Sequence, residues 1–122
     1  MREILFRGKR IDNNDWVEGL PCYGGGLYPD SIETREGNVY GVSPSTICQF
    51  TGLTDANGEK IFEGDIVECA REDEPLKVEW CEDTARFILS ASTFCCDFDN
   101  YWGYEVEVIG NIYDNPELWK ED

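Results

Sequence analysis

Turn-forming residues recur so often along this chain that its apolar segments are too short for long helices and sized for strands. Residues 4–9 are apolar and then alternating, Ile11-Asp12-Asn13-Asn14-Asp15 turns the chain, and residues 16–20 resume in extended form. That order predicts a hairpin. Glu36-Gly37-Asn38 predicts another turn before residues 39–42, and Ile47-Cys48-Gln49-Phe50-Thr51 begins a further strand. The Asn57-Gly58 pair favours the positive φ of a tight turn, with Ile61-Phe62 and Ile66-Val67-Glu68-Cys69 extended behind it. Along residues 76–81, Leu76, Val78 and Trp80 share one face and Lys77 and Glu79 the other, the period of a half-buried strand. Residues 86–89 return across Glu82-Asp83-Thr84, and residues 105–109 form one more alternating segment before Gly110-Asn111. Asn115-Pro116-Glu117 has the cap, proline and acid of a helix start, with space for only about two turns before the chain ends.

The expectation is a mainly β fold. An N-terminal β-hairpin region takes residues 1–45, with Ser43-Pro44-Ser45 as the boundary, and residues 46–122 form a small SH3-like β-barrel ending in one short helix. A sandwich shared with the N-terminal hairpin is the alternative. A chain of 122 residues fits one such domain or one and a half small ones. No apolar run reaches the ~18–20 residues that cross a bilayer, and the charged start precedes too short an apolar stretch for a signal peptide. The reading is a cytoplasmic protein with no membrane partner.

Charge narrows the function. The formal net charge is −16. Residues 1–61 hold nine acids and six bases, whereas residues 62–122 hold seventeen acids and four bases. A phosphate-binding surface needs a basic stripe, and the later half would repel a phosphate backbone. The basic cluster Arg2, Arg7, Lys9 and Arg10 sits on a strand-like segment whose side chains alternate in direction. Direct nucleic-acid binding is not expected. An acidic face can instead imitate nucleic acid on a basic partner protein, or simply keep a small protein soluble.

No histidine is present, which removes the commonest general base near neutral pH and the usual partner of a serine or cysteine nucleophile. The six cysteines (Cys22, Cys48, Cys69, Cys81, Cys95 and Cys96) lack the C-x₂₋₄-C spacing of zinc ligands, and the adjacent pair suits disulfide geometry poorly. They read as reduced core thiols. Asp55, Asn57 and Glu59 alternate like the start of a calcium loop, but Lys60 stands where that loop needs glycine and Ile66 where it needs glutamate. Gly24-Gly25-Gly26 is followed by a turn, not by the helix a phosphate loop requires, and reads as a flexible loop. No catalytic residue, metal or cofactor is expected. An enzyme would need Asp55, Glu63 and Asp65 to converge; Asp65 could equally cap the turn beside Gly64.

Two segments carry a resemblance. TGLTDANGEKIFEGDIV (51–67) and VIGNIYDNPEL (108–118), with the opening Arg2-Glu3-Ile4-Leu5-Phe6-Arg7, resemble the YopX family of bacteriophage and prophage proteins. The resemblance implies a phage or prophage origin, a mainly β architecture and self-assembly. It brings no activity and no catalytic residues. The matched motifs look architectural, with glycines at turns and aliphatic residues suited to a core.

The leading expectation is therefore a non-enzymatic accessory protein that binds a host or phage protein. Phe98, Tyr101, Trp102 and Tyr104, four aromatics within seven residues, are the candidate contact, since aromatic loops anchor protein interfaces. The competing reading has these rings covering the open end of the barrel. A structural homo-oligomer, exchanging the hairpin of residues 1–22, is a second class and a hydrolase or metal-dependent enzyme a third, with the acidic nucleic-acid mimic as a further alternative.

Overall fold

The computed structural model describes residues 4–69, 74–91, 95–97 and 106–118. It consists of short antiparallel strands joined by tight turns. β1 (Phe6–Lys9) and β2 (Trp16–Cys22) form the hairpin expected from the sequence, with Lys9 opposite Trp16. Arg10 N–H donates to Asp15 O at 2.8 Å, and Asn14 takes a φ of 63° between them. β3 (Ser31–Glu33) pairs with β2, and β4 (Val39–Gly41) pairs with β3.

This small sheet is bent back at one corner. An isolated bridge joins Arg10 to Val42, flanked by Ile11 N–H on Gly41 O at 3.1 Å and Ser43 N–H on Lys9 O at 2.9 Å. The walls then approach so closely that a Cβ on Gly19 would lie 2.0 Å from the Glu33 carbonyl oxygen. A backbone atom cannot swing aside, so the position demands glycine. Ile32 and Val42 are buried within this sheet.

A single 3₁₀ turn (Pro44–Thr46) follows. It is fastened by Thr46, whose hydroxyl donates to Ser43 O at 2.6 Å and accepts Lys9 N–H at 2.9 Å. β5 (Cys48–Thr54) pairs with β1 through Cys48 and Gln49, and with β6 (Lys60–Phe62). The chain folds as two compact units, Met1–Phe50 and Thr51–Asp122.

In the second unit, β7 (Asp65–Cys69), β8 (Leu76–Cys81), β9 (Arg86–Ser90), β10 (Cys95–Asp97) and β11 (Val106–Asn111) form one sheet in the order β10-β9-β8-β7-β11. Its core joins Ile61, Val67, Cys69, Leu76, Val78, Phe87, Leu89 and Val106. The register explains the set. Val78 faces Leu89 across β8 and β9, while Lys77 and Glu79 emerge on the other face as an ion pair of 2.8 Å. Each aliphatic side chain buried completely contributes about 1.5–3 kcal/mol relative to exposure.

Two expectations are revised. Among the described residues no pairing closes the second-unit sheet, whose order runs from β10 to β11 without returning, so the SH3-like barrel is not confirmed. Trp80 keeps to the face of Leu76 and Val78, meeting the core residue Phe87 edge-on at 5.1 Å, but stands at its margin, 39% exposed. Among the described residues the C-terminal helix is a single 3₁₀ turn (Pro116–Leu118). Its physical reason lies in Asn115, whose Oδ1 accepts Asn111 N–H at 3.3 Å instead of capping forward, while Leu118 N–H closes an i→i+3 bond on Asn115 O.

Candidate functional site

The motif carboxylates are drawn into turns. Asp55 is 4% exposed; its Oδ1 accepts N–H from Asn57 at 2.8 Å and from Glu59 at 2.9 Å, and its Oδ2 accepts Val108 N–H at 2.9 Å. Burial pushes its pKa upward, but backbone donors from Val108, Glu59, Asn57 and Gly58 together outweigh it and hold the carboxyl below its ordinary value. Asp65, almost fully buried, accepts Phe62 N–H on Oδ2 at 2.8 Å and so caps the turn before β7. Between them Gly64 takes a φ of 88°, donates to Val78 O at 2.8 Å and accepts Ile112 N–H at 2.9 Å. Among the described residues no group of three or more Cys, Asp or Glu side chains is placed to hold a metal.

The second motif behaves alike. β11 shifts register between Val108 and Gly110, a bulge. Beyond it Asn111 Oδ1 accepts N–H from Tyr113 at 3.0 Å and Asp114 at 2.9 Å, and its amide donates to Asp114 at 3.1 Å. Both motifs contribute to a cleft of about 280 Å³ in the second unit, lined by Glu63, Gly64, Ile112 and Tyr113 together with Lys77 and Trp80 of β8. Its cation is already paired with Glu79. Cys81, at the end of β8, has its thiol lowered by hydrogen bonding to the Thr84 side chain first and its backbone second.

The described basic side chains of the N-terminal cluster lie over aromatic rings. The Arg7 guanidinium stacks over the Trp16 ring at 4.3 Å, with the Lys9 ammonium 5.4 Å from the same centroid. Arg10 lies over Tyr40 at 4.3 Å and grips Asp12 through two hydrogen bonds, of 3.0 and 2.6 Å. That bond from Arg10 is the first cause of the lowered Asp12 pKa.

The exposed apolar surface lies elsewhere. Leu20, Glu33 and Val39 stand in one cross-strand row of β2, β3 and β4, with Leu20 52% and Val39 59% exposed. Asp30 N–H on Cys22 O at 3.0 Å closes the loop that follows β2. Within it Tyr23, Leu27 and Tyr28 are exposed, Leu27 to 90%. Sequence reasoning took this loop only as flexible because of its three glycines. The available signal was the Leu27-Tyr28 pair placed directly after them. The expected contact residues Phe98, Tyr101, Trp102 and Tyr104 lie outside the described residues.

Comparison with known proteins adds a family and a fold. The family model described as YopX protein matches residues 6–120. No curated protein matches. Among solved structures, the crystal structure of protein EF1440 from Enterococcus faecalis is similar, with a TM-score of 0.65 and 24% identity over 98% of this chain and 100% of that one. That likeness speaks to the fold. No helix among the described residues is long and apolar enough to cross a membrane.

Proposed function

The chain belongs to the YopX protein family, and from that premise we propose that it is a cytoplasmic phage accessory protein that acts by binding another protein through its first unit. One observation carries this reading: of the eight large hydrophobic residues exposed among the described residues, seven (Ile4, Ile11, Leu20, Tyr23, Leu27, Tyr28 and Val39) belong to residues 1–50. Concentrated apolar exposure marks interaction sites, whereas single exposed residues do not. The same unit is nearly neutral, with seven acids and five bases, so charge does not oppose a close approach. A non-catalytic role is supported by Asp55 and Asp65, whose carboxylates are engaged by backbone N–H groups.

The test is affinity capture from infected cells with the full chain and with a Leu27→Ser/Tyr28→Ser variant of matched stability. The expected result is a partner retained by the parent and lost by the variant. Equal retention by both removes the loop from the interface. A second reading, an acidic nucleic-acid mimic, is favoured by residues 51–122, where nineteen acids face five bases. It predicts a partner that leaves with added salt and ignores the loop variant.

A further inference from the structure

We infer that Asn57 is a site of spontaneous deamidation, and that Asp55 sets its rate by holding the turn closed. Asn57 is exposed at the tip of the β5–β6 turn and is followed by Gly58, whose φ is 84°. Nothing lies within 4 Å of where a Gly58 Cβ would stand. Gly58 therefore carries no side chain that would hinder attack by its own nitrogen. The reaction needs only water. The deprotonated Gly58 nitrogen adds to Cγ of Asn57, the Cγ–Nδ2 bond breaks, and ammonia leaves to give a cyclic imide. Water then opens either carbonyl, producing an aspartyl or an isoaspartyl linkage at position 57.

In the closed turn that nitrogen is engaged. Gly58 N–H donates to Asp55 O at 3.0 Å, and Asp55 N–H donates to Glu59 O at 2.8 Å. Asn57 and Glu59 N–H are both held by Asp55 Oδ1. Ring closure thus waits on local opening of the turn, an event governed by the few bonds that Asp55 makes. The product reports back on the same residue. It places a carboxylate beside the buried Asp55 carboxylate, and the isoaspartyl form adds a methylene to the backbone between the donors that Asp55 gathers. Because Asp55 Oδ2 also holds Val108 N–H at 2.9 Å, a surface modification weakens the grip on the bulge of β11.

The full chain is incubated at mildly alkaline pH, folded and in urea, and peptide mapping follows both products at position 57. The folded protein is expected to convert about tenfold more slowly than the unfolded chain, the effect of breaking one or two such bonds. A folded Asp55→Asn variant converts faster than the parent, Asn57→Gln yields no product on that timescale, and the aged protein exchanges the Val108 amide faster. An Asn57 still intact in the folded protein after many unfolded-chain half-times overturns the site. Equal rates folded and unfolded overturn the control by the turn, and that comparison stands even if Asp55→Asn does not fold.

Discussion

The two units are written in the same strand-and-turn grammar and differ in where their apolar side chains go. Residues 51–122 carry a formal charge of −14 and bury a continuous set of aliphatic and aromatic side chains from Ile61 to Val106. Residues 1–50 carry −2, and among their described residues the buried hydrophobic side chains are Ile32, Val42, Cys48 and Phe50, while seven large hydrophobic residues lie in solvent. A unit that closes around so few side chains depends on exact backbone fit, as at Gly19, more than on core volume. A unit with a full core tolerates a heavily charged exterior, because self-repulsion is offset by burial.

The largest expected effect tests the full-core unit at its tightest point. Gly64→Val adds a branched side chain to a buried residue at φ 88° whose N–H and carbonyl are both engaged. The left-handed strain and overpacking together cost about 3–5 kcal/mol, enough to abolish cooperative urea unfolding. A soluble, cooperatively folded variant breaks the architectural reading of the motif. Leu89→Ala follows at about 3 kcal/mol, the cost of a cavity in a closed core. Gly19→Ala in the smaller unit is expected at about 2 kcal/mol, through collision with the Glu33 carbonyl oxygen. If Gly19→Ala proves harmless, the first unit is looser than its hydrogen bonds imply, and the contrast between backbone fit and core volume fails.

The strands were legible because their signals are local. The hairpin around residues 11–15 and the alternation of residues 76–81 rest on turn chemistry and period, and both occur in the structure. What escaped depends on neighbours distant in sequence. β10 carries no period of its own and forms by pairing with β9. The curl of the first unit depends on Arg10 meeting Val42, thirty-two residues away, which no local pattern announces. Strand edges in the second-unit sheet are settled by tertiary geometry, whereas the final turn is held locally, by Asn115 reaching back four residues to Asn111. Of the site, Asp65 was legible as a turn cap, but the reach of Asp55 to Val108 was not. The exposed Leu27 and Tyr28 were visible as residues and invisible as surface, since exposure is a property of the fold.

A smaller effect concerns Asp55, the carboxylate that ties the turn to β11. Its pKa in the folded protein lies below the ordinary value of 3.8. Its contribution is therefore complete above that value and is lost as pH falls through the lower, folded one. Asp55→Asn should cost about 1–2 kcal/mol at pH 7, the scale of charge-assisted hydrogen bonds partly kept by the amide. Urea titrations of both proteins from pH 7 downward should show the gap between them narrowing in acid. A gap independent of pH would mean that the charge of Asp55 contributes nothing and shape alone holds the turn.

The smallest effect bears most directly on the comparison, because it sets one leucine against another. Leu89 is fully buried and Leu27 is 90% exposed. If the two units divide the tasks of holding together and making contact, Leu27→Ser should shift unfolding free energy by no more than about 0.5 kcal/mol, where Leu89→Ala costs several times that. Exposure alone predicts near-neutrality, so the informative companion measurement is binding: loss of a captured partner at unchanged stability assigns Leu27 to an interface. A Leu27→Ser chain that unfolds more easily, by a kcal/mol or more in urea, would instead show the loop packed in solution against its own protein. The apolar surface would then belong to the core that the first unit otherwise lacks.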